Sequence, residues 1–118
     1  SVGMVDDYLA TVALESVDRL LERSHEITRG NLSYLSSWLD GETKLSWVKP
    51  SSGTTALVKL ELPIKSYDFC VKLLQKTGVM FTPGAAMGME GFIRVGYANN
   101  PDVLRAGLGR VSEYLKTI

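Results

Sequence analysis

Arg94 lies inside a short run of mostly apolar residues, 92–98, that has the pattern of a β-strand. Its guanidinium group is planar and permanently charged, and its paired N–H donors match the oxygens of a carboxylate or a phosphate. Gly96 and Ala98 share its face of the predicted strand and leave room beside the guanidinium. The sequence therefore makes Arg94 a candidate anion-binding residue, with a structural ion pair or an exposed strand edge as the alternatives.

The loop before this strand, residues 83–91, is unusually rich in glycine. Glycines permit tight turns and let the backbone come close to a ligand. In known phosphate-binding loops a helix follows the glycines, and its N-terminus faces the phosphate. Because a strand follows here, this loop is only a weak candidate for a phosphate site. Met87 and Met89 within it could line an adaptable apolar pocket.

Other reactive side chains are sparse. His25, the single histidine, has charged neighbours on a predicted helix, which favours a surface position. Cys70 lies on the apolar face of a short predicted helix, which favours a place in the core. The sequence contains no HxxxH, CxxC, P-loop or GxSxG pattern, so metal, disulfide-exchange, nucleotide-hydrolase and serine-hydrolase chemistry are disfavoured. We predict no metal site.

The composition favours one globular domain. The 118 residues are 45% hydrophobic, and the 13 basic and 13 acidic residues cancel, which argues against a nucleic-acid partner. Residues 1–42 hold eight acids and three bases, against five and ten in residues 43–118. This imbalance is typical of a solvated acidic helix face, with a basic half that faces an anion as the alternative.

With no membrane-length apolar run, no signal-peptide pattern and one cysteine, we expect a cytoplasmic protein without a membrane partner.

The hydrophobic periodicity predicts the elements that hold Arg94. In order, they are a helix over residues 5–39, strands over 44–49 and 55–62, a helix that Ser66 caps and Gly78 ends, strands over 79–82 and 92–98, and a last helix that opens at Asn100-Pro101. We predict an α+β fold of order α-β-β-α-β-β-α, in which helices pack on a small, mostly antiparallel sheet. The first helix either breaks at Gly30-Asn31 or, at roughly 50 Å, overhangs its own domain.

The order and spacing of several short motifs resemble a known family. The motifs are Gly78-Val79, Pro83-Gly84, Gly88, Phe92-Ile93-Arg94-Val95 and Tyr97-Ala98, with Asn31, Trp38-Leu39 and Pro50…Gly53 upstream. Together they look like the C-terminal (small) domain of class I/II pyridoxal-phosphate-dependent aminotransferases, which are fold-type I enzymes. The resemblance implies that residues 1–42 form the interdomain helix region and residues 43–118 the α+β small domain. Together they would make one domain, a fragment of a larger enzyme.

The resemblance also implies roles for the residues. The family's conserved arginine falls on Arg94, which would bind the α-carboxylate of an amino-acid or 2-oxo-acid substrate. Pyridoxal 5'-phosphate and its lysine would belong to a missing large domain, so we expect this chain alone to hold no cofactor and no catalytic residue, and to be inactive. The full-length enzyme would be a homodimer. The family more often has phenylalanine at the position of Met87, and an aromatic residue at that of Thr54.

Other functions stay open at this stage. The chain could be a free-standing regulatory module that binds an amino acid or another anion through Arg94, or an interaction domain that uses its first helix. The same scaffold also serves other pyridoxal-phosphate chemistries, such as C–S lysis and decarboxylation.

Overall fold

A computed structural model describes residues 2–118. The elements are α1 Met4–Glu15, α2 Val17–Asp40, β1 Leu45–Trp47, β2 Thr55–Leu60, α3 Ser66–Thr77, β3 Thr82–Pro83, a short 3₁₀ helix Gly84–Met87, β4 Phe92–Gly96 and α4 Pro101–Leu115. The predicted α+β fold is confirmed. The differences in element order are that the first predicted helix is divided into α1 and α2, and that the glycine-rich loop contains the 3₁₀ helix.

The four strands form one antiparallel sheet in the order β1-β2-β4-β3. Along β2 and β4 every second side chain is buried, as the period-two apolar pattern predicts. The alternate side chains are exposed or half-buried. We call this second side the outer face and define it by the side chains around Arg94: Thr55, Leu57, Lys59, Thr82, Phe92, Arg94 and Gly96.

The core lies between the inner side of the sheet and helices α2, α3 and α4. The buried members are Leu35, Leu39, Leu45, Ala56, Val58, Leu60, Phe69, Cys70, Leu73, Phe81, Ile93, Val95, Tyr97, Leu104, Leu108, Val111, Tyr114 and Leu115. Each fully buried leucine or phenylalanine contributes about 1.5–3 kcal/mol. Only the C-terminal part of α2 takes part, through residues at a spacing of four, and this part of α2 packs against α4.

α1 and the first half of α2 extend beyond this core. No residue of α1 is buried. The radius of gyration is 17.1 Å and the longest dimension is 51 Å, whereas a compact domain of this length has a radius of about 13–14 Å. α2 is continuous through Gly30, so the alternative of a break there is wrong, and the helical stretch is interrupted at Ser16 instead. The overhanging helix is therefore the correct alternative.

The helix ends agree with the sequence at two of three predicted positions. Gly78 ends α3 in the left-handed conformation, with φ +75°. The Oδ1 atom of Asn100 accepts hydrogen bonds from the backbone N–H groups of Asp102 and Val103 and caps α4. The predicted Ser66 cap of α3 is wrong, because Lys65 occupies the N-cap position and Ser66 is the first helical residue.

None of the helices found in residues 2–118 combines the length and the apolar character that a membrane crossing requires.

Candidate anion-binding face around Arg94

Arg94 lies at the centre of the outer face. It pairs with Leu57 of β2 on one side and with Thr82 of β3 on the other. Its side chain is exposed, and Leu57 beside it is 37% exposed. A Cβ atom added to Gly96, two residues along β4, would meet no atom within 4 Å. The space that the sequence predicted beside the guanidinium is therefore present.

Two neutral side chains hold the guanidinium group. Arg94 Nη2 donates a hydrogen bond to Thr82 Oγ1 at 3.2 Å, and Nη1 lies 3.9 Å from the Sδ atom of Met87. Within residues 2–118, Arg94 forms no ion pair with a carboxylate. A structural ion pair was one alternative to anion binding by Arg94. No such pair is present in the part of the chain that the structure describes.

The glycine-rich loop brings Met87 to Arg94 by folding tightly onto the end of β4. The N–H of Met89 donates to the carbonyl of Gly84 at 2.8 Å, which closes the loop. A Cβ atom on Gly84 would lie 2.0 Å from the carbonyl oxygen of Met89 and 2.5 Å from that of Phe92. Since both neighbours are backbone atoms, only glycine fits here, and its role is to let two backbone segments approach each other.

Glu90 fastens the same loop to α3. Its Oε1 accepts from the backbone N–H of Ser66 at 2.7 Å, its Oε2 accepts from the Ser66 hydroxyl at 3.0 Å, and the N–H of Ala85 donates to Ser66 Oγ at 3.1 Å. The hydrogen bond from the Ser66 backbone, with a further one from its hydroxyl, lowers the pKa of Glu90 below its ordinary value. A carboxylate at a helix N-terminus satisfies donors that the helix leaves unpaired, which explains why Ser66 is not needed as the cap.

Asn31 anchors α2 to the end of β4, and sequence reasoning missed this contact. The side chain is 3% exposed, and its Nδ2 donates to the carbonyls of Tyr97 at 2.7 Å and Asn99 at 2.6 Å. From the sequence, Asn31 was considered only as part of a possible helix break at Gly30-Asn31 and as one of the family motifs. Its place in the same four-residue series as Leu35 and Leu39 was the available signal, because a polar side chain on a buried stripe needs a hydrogen-bond partner.

The other candidate side chains lie as the sequence predicted. His25 is exposed on α2, and Cys70 is buried in the core, where burial raises the pKa of its thiol to about 11. Among residues 2–118 there is no cluster of histidine, cysteine, aspartate or glutamate suited to a metal ion. Lys44 donates to the carbonyls of Leu115 and Ile118, and the other six lysines are exposed.

Comparison with known proteins identifies the relatives of the chain. No family model matches the sequence. The chain is 34% identical over 71 residues to nicotianamine aminotransferase B of Hordeum vulgare, covering 56% of this chain and 13% of that protein. It is 28% identical over 118 residues to capreomycidine synthase of Streptomyces vinaceus, covering 99% of this chain and 30% of that protein.

The same fold is found in a solved structure. A pyridoxal-phosphate-dependent aminotransferase from Streptococcus suis 89-1591 superposes with a TM-score of 0.95 at 34% identity, covering 98% of this chain and 31% of that one. This chain spans about a third or less of the length of the proteins that it matches here. The chain is therefore similar in sequence and in fold to about a third of a pyridoxal-phosphate-dependent aminotransferase.

Proposed function

We propose that this chain is the C-terminal small domain of a pyridoxal-phosphate-dependent aminotransferase, which closes over an amino-acid substrate and binds the α-carboxylate through Arg94. The observation that carries the proposal is the state of Arg94. It is a central, exposed cation on the outer face, held only by Thr82 and Met87 among residues 2–118. A cation that is positioned but not neutralised is suited to binding an anion that arrives from outside the domain.

The surroundings of Arg94 favour a carboxylate that is bound by two parallel hydrogen bonds. Leu57 and Met87 present apolar surface next to the guanidinium. When a second domain covers this face, water is excluded and the charge–charge attraction becomes stronger than it is in bulk solvent. The bidentate geometry would also orient the substrate relative to the reacting groups, which is a positioning contribution to catalysis.

The cofactor would be held by residues outside this chain. When bound, pyridoxal phosphate supplies an electron sink for the carbon that loses its proton. We propose that none of the seven lysines is the attachment site, because the resemblance places the cofactor lysine in the large domain and Lys44 here donates to the carbonyls of Leu115 and Ile118. We therefore propose that this chain contributes substrate binding and domain closure, and that without the large domain it is inactive.

The apolar surface of α1 and early α2 supports a large domain as the partner. Nine large apolar side chains in this region are exposed: Met4, Val5, Tyr8, Leu9, Val12, Leu14, Val17, Leu20 and Leu21. Exposed apolar surface of this extent is typical of an interaction site. We propose that residues 1–42 are the interdomain helix region, that residues 43–118 are the small domain, and that the complete enzyme is a cytoplasmic homodimer.

Arg94→Lys in the complete enzyme tests the role of Arg94. Lysine keeps the charge but loses the fork, so we expect the apparent affinity for amino-acid substrates to fall about 10- to 100-fold. Cofactor content, measured by visible absorbance, should not change. Arg105→Lys is the matched control, because Arg105 lies on α4 with its guanidinium carbon 4.9 Å from the centre of the Tyr34 ring. Equal substrate affinity in the Arg94 variant and the control would refute the assignment.

Two further measurements separate the other functions. Calorimetry of the 118-residue chain with a panel of amino acids should give no heat at millimolar concentration, whereas saturable binding would support a free-standing sensor instead. Product analysis of the complete enzyme with an amino acid and a 2-oxo acid should find exchange of the amino group. Release of a thiol or of carbon dioxide as the main reaction would assign C–S lysis or decarboxylation to the enzyme.

A further inference from the structure

We propose that Thr82 is a positioning residue for substrate binding, because its hydroxyl fixes the Arg94 guanidinium in the orientation that meets the carboxylate. The inference rests on the proposed function of Arg94. No sequence motif singles out Thr82 as a functional residue. It lies in a strand of only two residues, Thr82–Pro83.

One short segment holds the guanidinium at both of its terminal nitrogens. Thr82 is the direct register partner of Arg94 across β3 and β4, and its Oγ1 accepts from Nη2 at 3.2 Å. The 3₁₀ helix that follows β3 then places Met87 Sδ 3.9 Å from Nη1. Residues 82–87 therefore determine where the guanidinium plane lies, while further N–H donors of the group remain for a ligand.

The Thr82 hydroxyl can hold the Arg94 guanidinium without competing with the substrate carboxylate for it. An arginine side chain has about 2 kcal/mol of rotamer entropy to lose, so a side chain that is already held binds its ligand more tightly. An acidic residue in the place of Thr82 would also hold Arg94, but it would neutralise the charge and compete with the substrate. A threonine hydroxyl accepts a hydrogen bond while it leaves the charge intact, and its β-branch restricts χ1.

The test compares three threonine variants of the complete enzyme. Thr82→Val removes the hydroxyl and keeps the shape, and we expect KM for the amino-acid substrate to rise about three- to tenfold with a smaller change in kcat. Thr82→Ser keeps the hydroxyl and should restore KM to within about twofold. Thr43→Val is the matched control, because Thr43 is an exposed threonine outside the outer face and makes no hydrogen bond to Arg94 in residues 2–118.

A double-mutant cycle with Arg94→Lys distinguishes action through Arg94 from a general structural effect. If Thr82 acts through Arg94, adding Thr82→Val to Arg94→Lys should raise KM by less than about twofold more. If the two effects multiply in full, or if Thr82→Val behaves like Thr43→Val while Arg94→Lys still weakens binding, Thr82 is not a positioning residue and the role of Arg94 stands. If Arg94→Lys itself leaves KM unchanged, the proposed function fails and the inference fails with it.

Discussion

Gly84→Ala should destabilise the fold strongly, whereas the same change at Gly96 should not. The new methyl group at residue 84 would lie 2.0 Å and 2.5 Å from two backbone oxygens, and an ordinary carbon–oxygen contact is more than 3.0 Å. The loop must open by about 1 Å, which strains the packing by roughly 1–3 kcal/mol. Opening also weakens the hydrogen bond from Met89 to Gly84, which contributes about 0.5–1.5 kcal/mol to the free energy of unfolding. We expect a total loss of roughly 2–4 kcal/mol from the free energy of unfolding.

Urea unfolding followed by circular dichroism measures this difference. At Gly96 an added methyl meets no atom within 4 Å, so alanine there should change stability by less than about 1 kcal/mol and can increase it by restricting the unfolded chain. A domain of this size has a total stability of about 6–18 kcal/mol, so the Gly84 variant should show a clearly lower midpoint with an unchanged slope. Midpoints for the two variants that agree within error would refute the close-approach argument.

Two further substitutions test the contacts that hold the site together. Asn31→Ala removes both hydrogen bonds to the carbonyls of Tyr97 and Asn99 in a buried place, so unfolding should become easier by about 2–3 kcal/mol in the same urea assay. Glu90→Gln should destabilise the chain at pH 7, because the Glu90 carboxylate accepts both hydrogen bonds from Ser66. The lowered pKa of Glu90 means that its stabilisation is present above the ordinary value of 4.5 and is lost as the pH falls through the folded value, so the two proteins should converge in acid.

Two substitutions at exposed positions serve as controls for these measurements. Ser33→Ala changes an exposed residue of α2 and should alter stability by less than about 0.5 kcal/mol. Glu113→Gln removes an exposed carboxylate that pairs with Lys116, and its effect at neutral pH should be small. An Asn31 variant as stable as the Ser33 variant would contradict the anchoring role, and a Glu90 variant whose deficit is the same at every pH would contradict the ionised interaction with Ser66.

Features that depend on neighbouring residues could be predicted from the sequence. The alternation of buried and exposed side chains along β2 and β4, the left-handed Gly78 and the Asn100 cap each need only a few consecutive residues. A break at Gly30, one of the two alternatives, is absent because glycine in a helix costs only about 1 kcal/mol, which the burial of Leu35 and Leu39 on the following turns outweighs.

The contacts that build the site could not be predicted in the same way, because they join distant parts of the chain. Asn31 binds carbonyls 66 and 68 residues away, and Ser66 meets Glu90 at a separation of 24 residues. The identity of each partner depends on how the helices pack on the sheet, which the local pattern does not contain. The sequence did predict free space beside Arg94, since a period of two and a nearby glycine suffice for that.

The Arg94 face and the exposed apolar side chains of α1 suit partners of different chemistry. An anion would bind Arg94 but would not cover the apolar side chains of α1, and an apolar surface would cover α1 but would not neutralise a guanidinium. A single anionic macromolecule on both regions would have to place charge against α1, which is unfavourable. A small carboxylate at the outer face and a protein domain on α1 satisfy both requirements. The physical demands of the chain thus favour a substrate enclosed between two domains over a sensor that acts alone.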